Sequence, residues 1–244
     1  MKKRKSSLPL GNRLALVTGA NRGIGFEIAA ALAGEGCDLV ITSRDGKTLA
    51  QAARKIEKLG VRVLAQTCDV RSPESVDYLF TLVRALRRPL DFLINNAGIG
   101  HPNRTVADLP YPTWVEVIDT NLNGTFLMTQ AALAVMKRGS VIVNNLSVAA
   151  ERVFPGSAAY NASKHGALGF TDTLREELRP KGIRVVALLP GATDTDIWKT
   201  LWPKAPRGKM MSAATVARAV VNALQLPPNS AIEKLVVRPA VGTL

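Results

Sequence analysis

The chain has 244 residues, 47% of them hydrophobic, enough for one sizeable core, and no Pro/Gly/Ser-rich linker or shift in composition divides it. No apolar run reaches the length of a membrane span, and Met1-Lys2-Lys3-Arg4-Lys5-Ser6-Ser7 lacks the apolar stretch of a secretory signal, so a soluble, cytoplasmic protein without membrane contact is expected. The formal charge is +13, but the Lys and Arg residues are scattered and no basic stripe is interleaved with aromatics, which argues against nucleic-acid binding and for anionic ligands.

Residues 1–10 read as a basic, disordered tail, and residues 11–244 as a single domain. Strand-like apolar runs at 15–18, 38–42, 62–66, 92–95, 141–144, 184–189 and 234–238 alternate with helical patterns near 23–33, 46–59, 73–86, 113–137, 157–179 and 213–226. Pro73 suits the first turn of a helix, and Gly60 and Gly182 suit helix ends. Such alternation implies crossover connections and a parallel sheet of the α/β class. Cys37 and Cys68, one entering the second strand and one closing the third, read as buried free thiols, not as a disulfide framework.

The first strand runs into Thr18-Gly19-Ala20-Asn21-Arg22-Gly23-Ile24-Gly25 and then a helix. In that arrangement backbone N–H groups at the helix N-terminus face an anion, usually a pyrophosphate, and glycines permit close approach. The spacing Gly19, Gly23, Gly25 differs from the commoner G-x-G-x-x-G, and a plain tight turn is the alternative. Tyr160 and Lys164 lie four residues apart, hence on one helix face, thirteen positions after Ser147. A cation beside a phenol favours the phenolate, so the pair suits acid–base work; an exposed helix pair is the alternative for a Tyr-x-x-x-Lys standing alone.

Thr18-Gly-Ala-Asn-Arg-Gly-Ile-Gly25, Asn95-Asn-Ala-Gly98, Asn121, Ser147, Tyr160 with Lys164, and Pro190-Gly191 stand in the order and spacing of the short-chain dehydrogenase/reductase family, which the chain resembles over about residues 12–239. The resemblance implies a Rossmann-like, doubly wound parallel sheet of seven strands, order 3-2-1-4-5-6-7, with helices on both faces and ligands at the carboxyl ends of the strands. It places Gly19, Asn21, Arg22, Gly23, Ile24 and Gly25 in a cofactor site. The second strand ends Ile41-Thr42-Ser43-Arg44, with no acid where NAD-selective relatives place one. Ser43 and Arg44 offer phosphate hydrogen bonds, Asp45 lies one step too far along, and Arg22 matches the second basic position of NADP-preferring relatives, so NADP is the expected cofactor.

Asp69 and Val70 resemble the pair that frames the adenine, a role that coexists with a helix cap or turn. Asn96, Ala97 and Gly98 end the fourth strand, where small residues let a cofactor lie close to the backbone. Pro190-Gly191-Ala192-Thr193-Asp194-Thr195 resembles the segment that closes over the nicotinamide; Thr195 either binds the carboxamide or caps the next short helix.

The implied activity is NADPH-dependent reduction of a carbonyl, reversible as an alcohol dehydrogenase. Tyr160 donates the proton, Ser147 hydrogen-bonds the substrate oxygen, and Lys164 lowers the Tyr160 pKa and holds the nicotinamide ribose. Asn121, selected over Asn123 by the family pattern N-x-x-G, positions a relay water. A lid at 196–211 contains Trp198, Trp202, Met210 and Met211, with Val148 and Phe154 in the same cleft, so an apolar or aromatic carbonyl substrate is expected. Two alternatives stand beside this. One is a 3-oxoacyl-carrier-protein reductase, from whose Gly-rich ending the run 232–239 departs; the other is a non-catalytic NADP-sensing protein, which would be expected to lose one of Ser147, Tyr160 or Lys164.

His101 and His165 have no Cys/His/acid company, and no metal is expected. Glu176-Glu177, beside Arg175 and Arg179, reads as surface pairing on a helix end. The helices at 113–137 and 157–179 carry Ala131, Ala132, Ala134, Ala158, Ala162, Ala167 and Phe170, more small and apolar residues than one face against a sheet requires. Relatives pair these helices across a two-fold axis, so a homodimer or homotetramer is expected.

Overall fold

The computed structural model of the chain describes residues 8–242. Strand β1 (Leu14–Thr18) is buried along its whole length, and its alternate side chains enter two different layers: Ala15 and Val17 pack on one side of the sheet, Leu14 and Leu16 on the other. A strand covered on both faces has no solvent side to make polar, which is why these runs are apolar throughout.

The chain continues through α1 (Gly23–Gly34), β2 (Asp38–Ser43), α2 (Gly46–Glu57), β3 (Val63–Thr67), α3 (Pro73–Ala85), β4 (Leu90–Asn95), α4 (Tyr111–Ile118), α5 (Gly124–Leu133) and β5 (Met136–Asn145). It closes with α6 (Ala158–Leu178), β6 (Arg184–Pro190), the short β7 (Thr193–Asp194), α7 (Trp198–Leu201), β8 (Met211–Ser212), α8 (Ala213–Leu224) and β9 (Lys234–Val237). Seven strands form one parallel sheet in the order β3-β2-β1-β4-β5-β6-β9, while β7 and β8 pair separately. This is the expected doubly wound order, with β9 as the seventh strand.

Helices α1, α2 and α8 cover one face with Ile28, Leu32, Leu49, Ile56, Val216 and Val220; α3, α5 and α6 cover the other with Leu79, Phe80, Val83, Met128, Leu174 and Leu178. Each such side chain contributes roughly 1.5–3 kcal/mol by leaving water, so the two layers hold the strand ends in fixed register. Asp45, Ser72 and Ser212 each accept a hydrogen bond from the N–H three residues on, fixing the starts of α2, α3 and α8.

Two expectations need correction. The helix read at 113–137 is α4, then a wider π-type turn at Asp119–Asn123, then α5, and it stops at Leu133. Residues 136 and 137 belong instead to β5, because the Leu90 N–H takes the Val135 carbonyl and Met136 pairs with Leu90 across the sheet. Of the tail read at 1–10, residues 1–7 lie outside the described residues, whereas Leu10 is buried in the core and donates its N–H to Glu35 O at 3.1 Å. Among the described residues no helix is long and apolar enough to cross a membrane, and Cys37 and Cys68 are both buried.

Candidate active site

The carboxyl ends of the strands converge on one cavity of about 1390 Å³. Between β1 and α1 the backbone turns through Gly19, at φ +62°, and lies flat against the end of β4. A Cβ on Gly19 would stand 3.0 Å from Ala97 Cα; one on Gly25 would collide with Asn96 Nδ2 and come within 2.5 Å of Gly19 O. The N-cap of α1, Arg22, offers no side-chain acceptor to the first N–H groups of the helix, which leaves them for an anion.

Asn96 fastens this turn. The N–H groups of Asn96 and Ala97 both donate to Thr18 Oγ1 at 2.9 Å, and Asn96 Nδ2 donates to Thr18 O at 2.9 Å and Gly19 O at 3.2 Å. Beneath it, Asn95 Nδ2 donates to Thr129 Oγ1 and Asn144 Oδ1, and Asn144 Nδ2 to Thr171 Oγ1, each at 2.9 Å, so buried amides tie β4 and β5 to α5 and α6.

Tyr160, Ser147 and Lys164 meet at the floor of the cavity. The Tyr160 phenol shares a hydrogen bond with Ser147, and burial pushes its pKa above the ordinary value although that bond works the other way. The Lys164 ammonium lies 5.6 Å from the Tyr160 ring centroid and donates to Asn145 O at 3.0 Å. Burial lowers its pKa to about 8. The expectation that Lys164 depresses the tyrosine is therefore not met here: desolvation dominates both groups, leaving a protonated phenol beside an ammonium that is still mostly charged at neutral pH.

The structure brings nearly all the expected residues to this cavity: Gly19, Asn21, Arg22, Gly23, Ile24, Ser43, Arg44, Asp69, Val70, Asn96, Ala97, Gly98, Pro190, Gly191, Thr193 and Thr195 line it. Gly25 and Asn121 do not. Gly25 lies beneath the Asn96 amide, and Asn121 sits behind the wall, where its Nδ2 donates to Ile99 O and Ser163 Oγ and its Oδ1 accepts from Ile99 N. Asn121 thus braces the Gly98–Ile99 backbone from the π-type turn.

At the end of β2, Ser43 Oγ donates to Asp45 O, and the Asp45 carboxylate is occupied in capping α2. Arg44 stands 3.8 Å from Glu116, an acid that Arg71 shares at 3.5 Å while also pairing with Asp69 at 2.6 Å. Exposed pairs of this kind contribute about 0–1 kcal/mol, so Arg44 is readily redirected to a better anion. Arg22 pairs with Asp196 at 3.3 Å, joining the glycine turn to the lid. Within the lid, Trp198 Nε1 donates to Thr193 O at 2.8 Å, and Trp198 meets Trp202 edge to face. Both tryptophans, with Val148, Phe154 and Leu201, line the cavity; Met210 and Met211 do not, and Met211 packs on the α1–α8 core. Thr48, Glu116 and Asn145 line the cavity without having been singled out by the sequence. A short turn-capping Thr, one acid on an amphipathic helix and an Asn in a strand carry no local signal. Among the described residues no cluster of three or more His, Cys, Asp or Glu side chains is arranged to hold a metal.

The profile of the short chain dehydrogenase family matches residues 13–206. The chain is 36% identical over 197 residues to dehydrogenase/reductase SDR family member 4 of Homo sapiens, covering 80% of this chain and 70% of that protein. Two solved structures superpose on it closely. One is an alcohol dehydrogenase of Thermococcus sibiricus complexed with 5-hydroxy-NADP, at TM-score 0.88 and 30% identity over 94% of this chain and 97% of that one. The other is a variant of actinorhodin polyketide ketoreductase with NADPH, at TM-score 0.83 and 32% identity over the same shares, 94% and 97%.

Lys164 gives this site a pH signature. Its folded pKa of about 8 lies below the 10.5 of a free lysine, so between those values the unfolded chain holds a proton that the folded chain has released, and stability rises with pH. The upward shift of Tyr160 reverses the trend above its ordinary value of 10.0, where the folded chain keeps a proton the unfolded chain has lost. The raised thiol of Cys68 opposes this trend from about its ordinary 9.0 upward, so the quantity to follow between about pH 8 and about pH 10 is the Tm of the wild type relative to Lys164→Met, which is expected to rise with pH because the Lys164 contribution, about 1.4 kcal/mol per unit of pKa shift, is missing in the variant. Identical profiles for the two proteins would contradict the burial of the ammonium.

Proposed function

The chain belongs to the short-chain dehydrogenase family, and from that premise we propose that it is an NADP-dependent oxidoreductase interconverting a carbonyl group and the corresponding alcohol. The observation that carries the reading is the Tyr160–Ser147 hydrogen bond on the cavity floor with the Lys164 ammonium 5.6 Å from the tyrosine ring. The two NADP-type complexes among the solved relatives support the cofactor assignment.

The residues of this chain fit such a group. The flattened turn at Gly19 and Gly25 and the uncapped N–H groups of α1 suit a pyrophosphate, and the end of β2, where the Asp45 carboxylate is turned to capping α2, suits a 2′-phosphate on Ser43 and Arg44. Asp69 and Val70 would flank the adenine end, and Pro190, Gly191, Thr193 and Thr195 the nicotinamide end. Bound NADPH supplies the hydride. Ser147 hydrogen-bonds the substrate oxygen, and the Tyr160 phenol, kept protonated by burial, delivers the proton as negative charge grows there. The Lys164 ammonium then stabilises the phenolate left behind. Asn121 keeps the Ile99 backbone in place beside this group, and the lid excludes water. Val148, Phe154, Trp198 and Trp202 favour a substrate with an apolar or aromatic body.

The outer faces of α5 and α6 support a homodimer or homotetramer. Phe126 is 44% exposed and stacks edge-on against Phe170 at 6.0 Å, and Ala158 and Ala162, two to three turns nearer the start of α6, are only half-buried. Ala132 and Ala167, by contrast, are fully buried against the sheet and leave the contact to the others.

Three outcomes follow from this reading. Tyr160→Phe keeps the ring and removes the acid, so turnover should fall by at least about two orders of magnitude with NADPH binding nearly intact; wild-type turnover would sink the mechanism. Arg44→Ala should weaken NADPH by roughly 1.5–3 kcal/mol in a fluorescence titration while leaving NADH little changed, and equal losses for both would make Arg44 structural. In sedimentation the wild type should run as a dimer or tetramer and Ala162→Arg as a smaller species; a wild-type monomer at micromolar concentration would refute the assembly.

A further inference from the structure

We infer that Asn145 is a positioning residue that ties the Tyr160–Lys164 pair to the glycine-rich turn, so that one side chain governs both cofactor affinity and turnover; the inference rests on the dinucleotide reading above. Asn145 is the last residue of β5, two positions before Ser147, and both residues line the cavity. Its backbone carbonyl accepts from Lys164 Nζ at 3.0 Å. Its side-chain Nδ2 donates to Asn96 Oδ1 at 2.8 Å, and Asn96 Nδ2 passes the connection on to Thr18 O at 2.9 Å and Gly19 O at 3.2 Å. Lys164 is thus held by the Asn145 backbone, and the side chain of the same residue connects through the Asn96 amide to the turn.

The direction of the Asn96 amide matters because its Nδ2 occupies the space that a Cβ on Gly25 would need, and the turn is moulded around it. A flipped amide would set a carbonyl oxygen against the carbonyls of Thr18 and Gly19. Among the described residues, Asn145 is what donates to Asn96 Oδ1 and so holds the productive orientation.

The other half of the Asn145 amide separates positioning from plain stabilisation. Its Oδ1 is buried and has no hydrogen-bond partner. An acceptor buried without a donor costs stability, and leucine, branched at Cγ as asparagine is, would remove that cost while leaving Asn96 Oδ1 without the donor that Asn145 supplies. A role in stability alone predicts that Asn145→Leu changes Tm and leaves NADPH binding and the exchange of the turn as they are. A positioning role predicts a stable protein with a loosened turn.

The test uses the full chain with NADPH as the probe. Asn145→Leu is expected to keep a Tm near that of the wild type, since one unpaired acceptor is removed as another is created, to raise the NADPH dissociation constant about tenfold, the scale of one lost hydrogen bond, and to lower kcat as well. In the cofactor-free protein, amide hydrogen exchange over residues 19–25 should be faster. Asn96→Ala should weaken NADPH similarly, and the double variant Asn96→Ala/Asn145→Leu should be little worse than the weaker single, since both break one connection. Asn145→Ala serves as a second variant on the same measurements. Wild-type affinity and exchange in Asn145→Leu, multiplied losses in the double variant, or unfolding of both Asn145 variants would each overturn the inference. Failure of the wild type itself to bind NADPH would contradict the dinucleotide reading and take this inference with it; normal wild-type binding with an indifferent Asn145→Leu would overturn this inference alone.

Discussion

Burying the Lys164 ammonium costs free energy, and the carbonyl of Asn145 at 3.0 Å offsets that cost only in part, as the downward shift of its pKa to about 8 records. The same burial raises the neighbouring phenol. Both shifts come from desolvation, so the site depends on how tightly the cation and the ring beneath it are enclosed. On the sheet side that enclosure comes from α6, whose Ala159, Ser163 and Ala167 are fully buried; on the other side both groups line the cavity.

The same constraint explains why polar groups gather at one end of an otherwise apolar sheet. Parallel strands covered on both faces bury long runs of aliphatic side chains, and a polar residue entering such a strand costs stability unless it finds a partner there. Asn95, Asn144 and Asn145 do so by bonding to Thr129, Thr171 and Asn96, and each bond fixes the relation of a strand end to a helix or to its neighbouring strand. The lysine, the glycine turn and the Gly98–Ile99 wall are consequently parts of one connected frame, with Asn121 bracing the last of them. The cationic rim at Arg22 and Arg44 is of a different kind: its ion pairs are exposed and exchangeable, which suits an anion that arrives and leaves.

Much of this was legible in the sequence because it follows local periodicity. Tyr160 and Lys164 share a face by helix geometry, the β1 turn by its glycines, and the end of β2 by the plain absence of an acid. What escaped depends on contacts between distant segments. Apolar spacing carries from Thr113 to Lys137 without a break, and nothing in it signals either the π-type turn at Asp119–Asn123 or the capture of the Val135 carbonyl by Leu90. Closeness in sequence to Trp202 places Met210 and Met211 with the lid, yet the pairing of β7 with β8 turns Met211 toward the α1–α8 core. Burial also reversed the expected direction of the tyrosine shift, since a neighbouring cation outweighs desolvation only when it stands close to the hydroxyl, and here it lies over the ring.

The most direct test of the account is stoichiometry. Purified protein would be incubated with NADPH and a panel of apolar and aromatic aldehydes and ketones, with NADPH loss read by absorbance and the product identified. At least one carbonyl compound is expected to be converted to its alcohol with one NADPH consumed per molecule formed. NADPH that binds but is never oxidised, across carbonyls of every class and with no alcohol oxidised in the reverse direction with NADP, would contradict it.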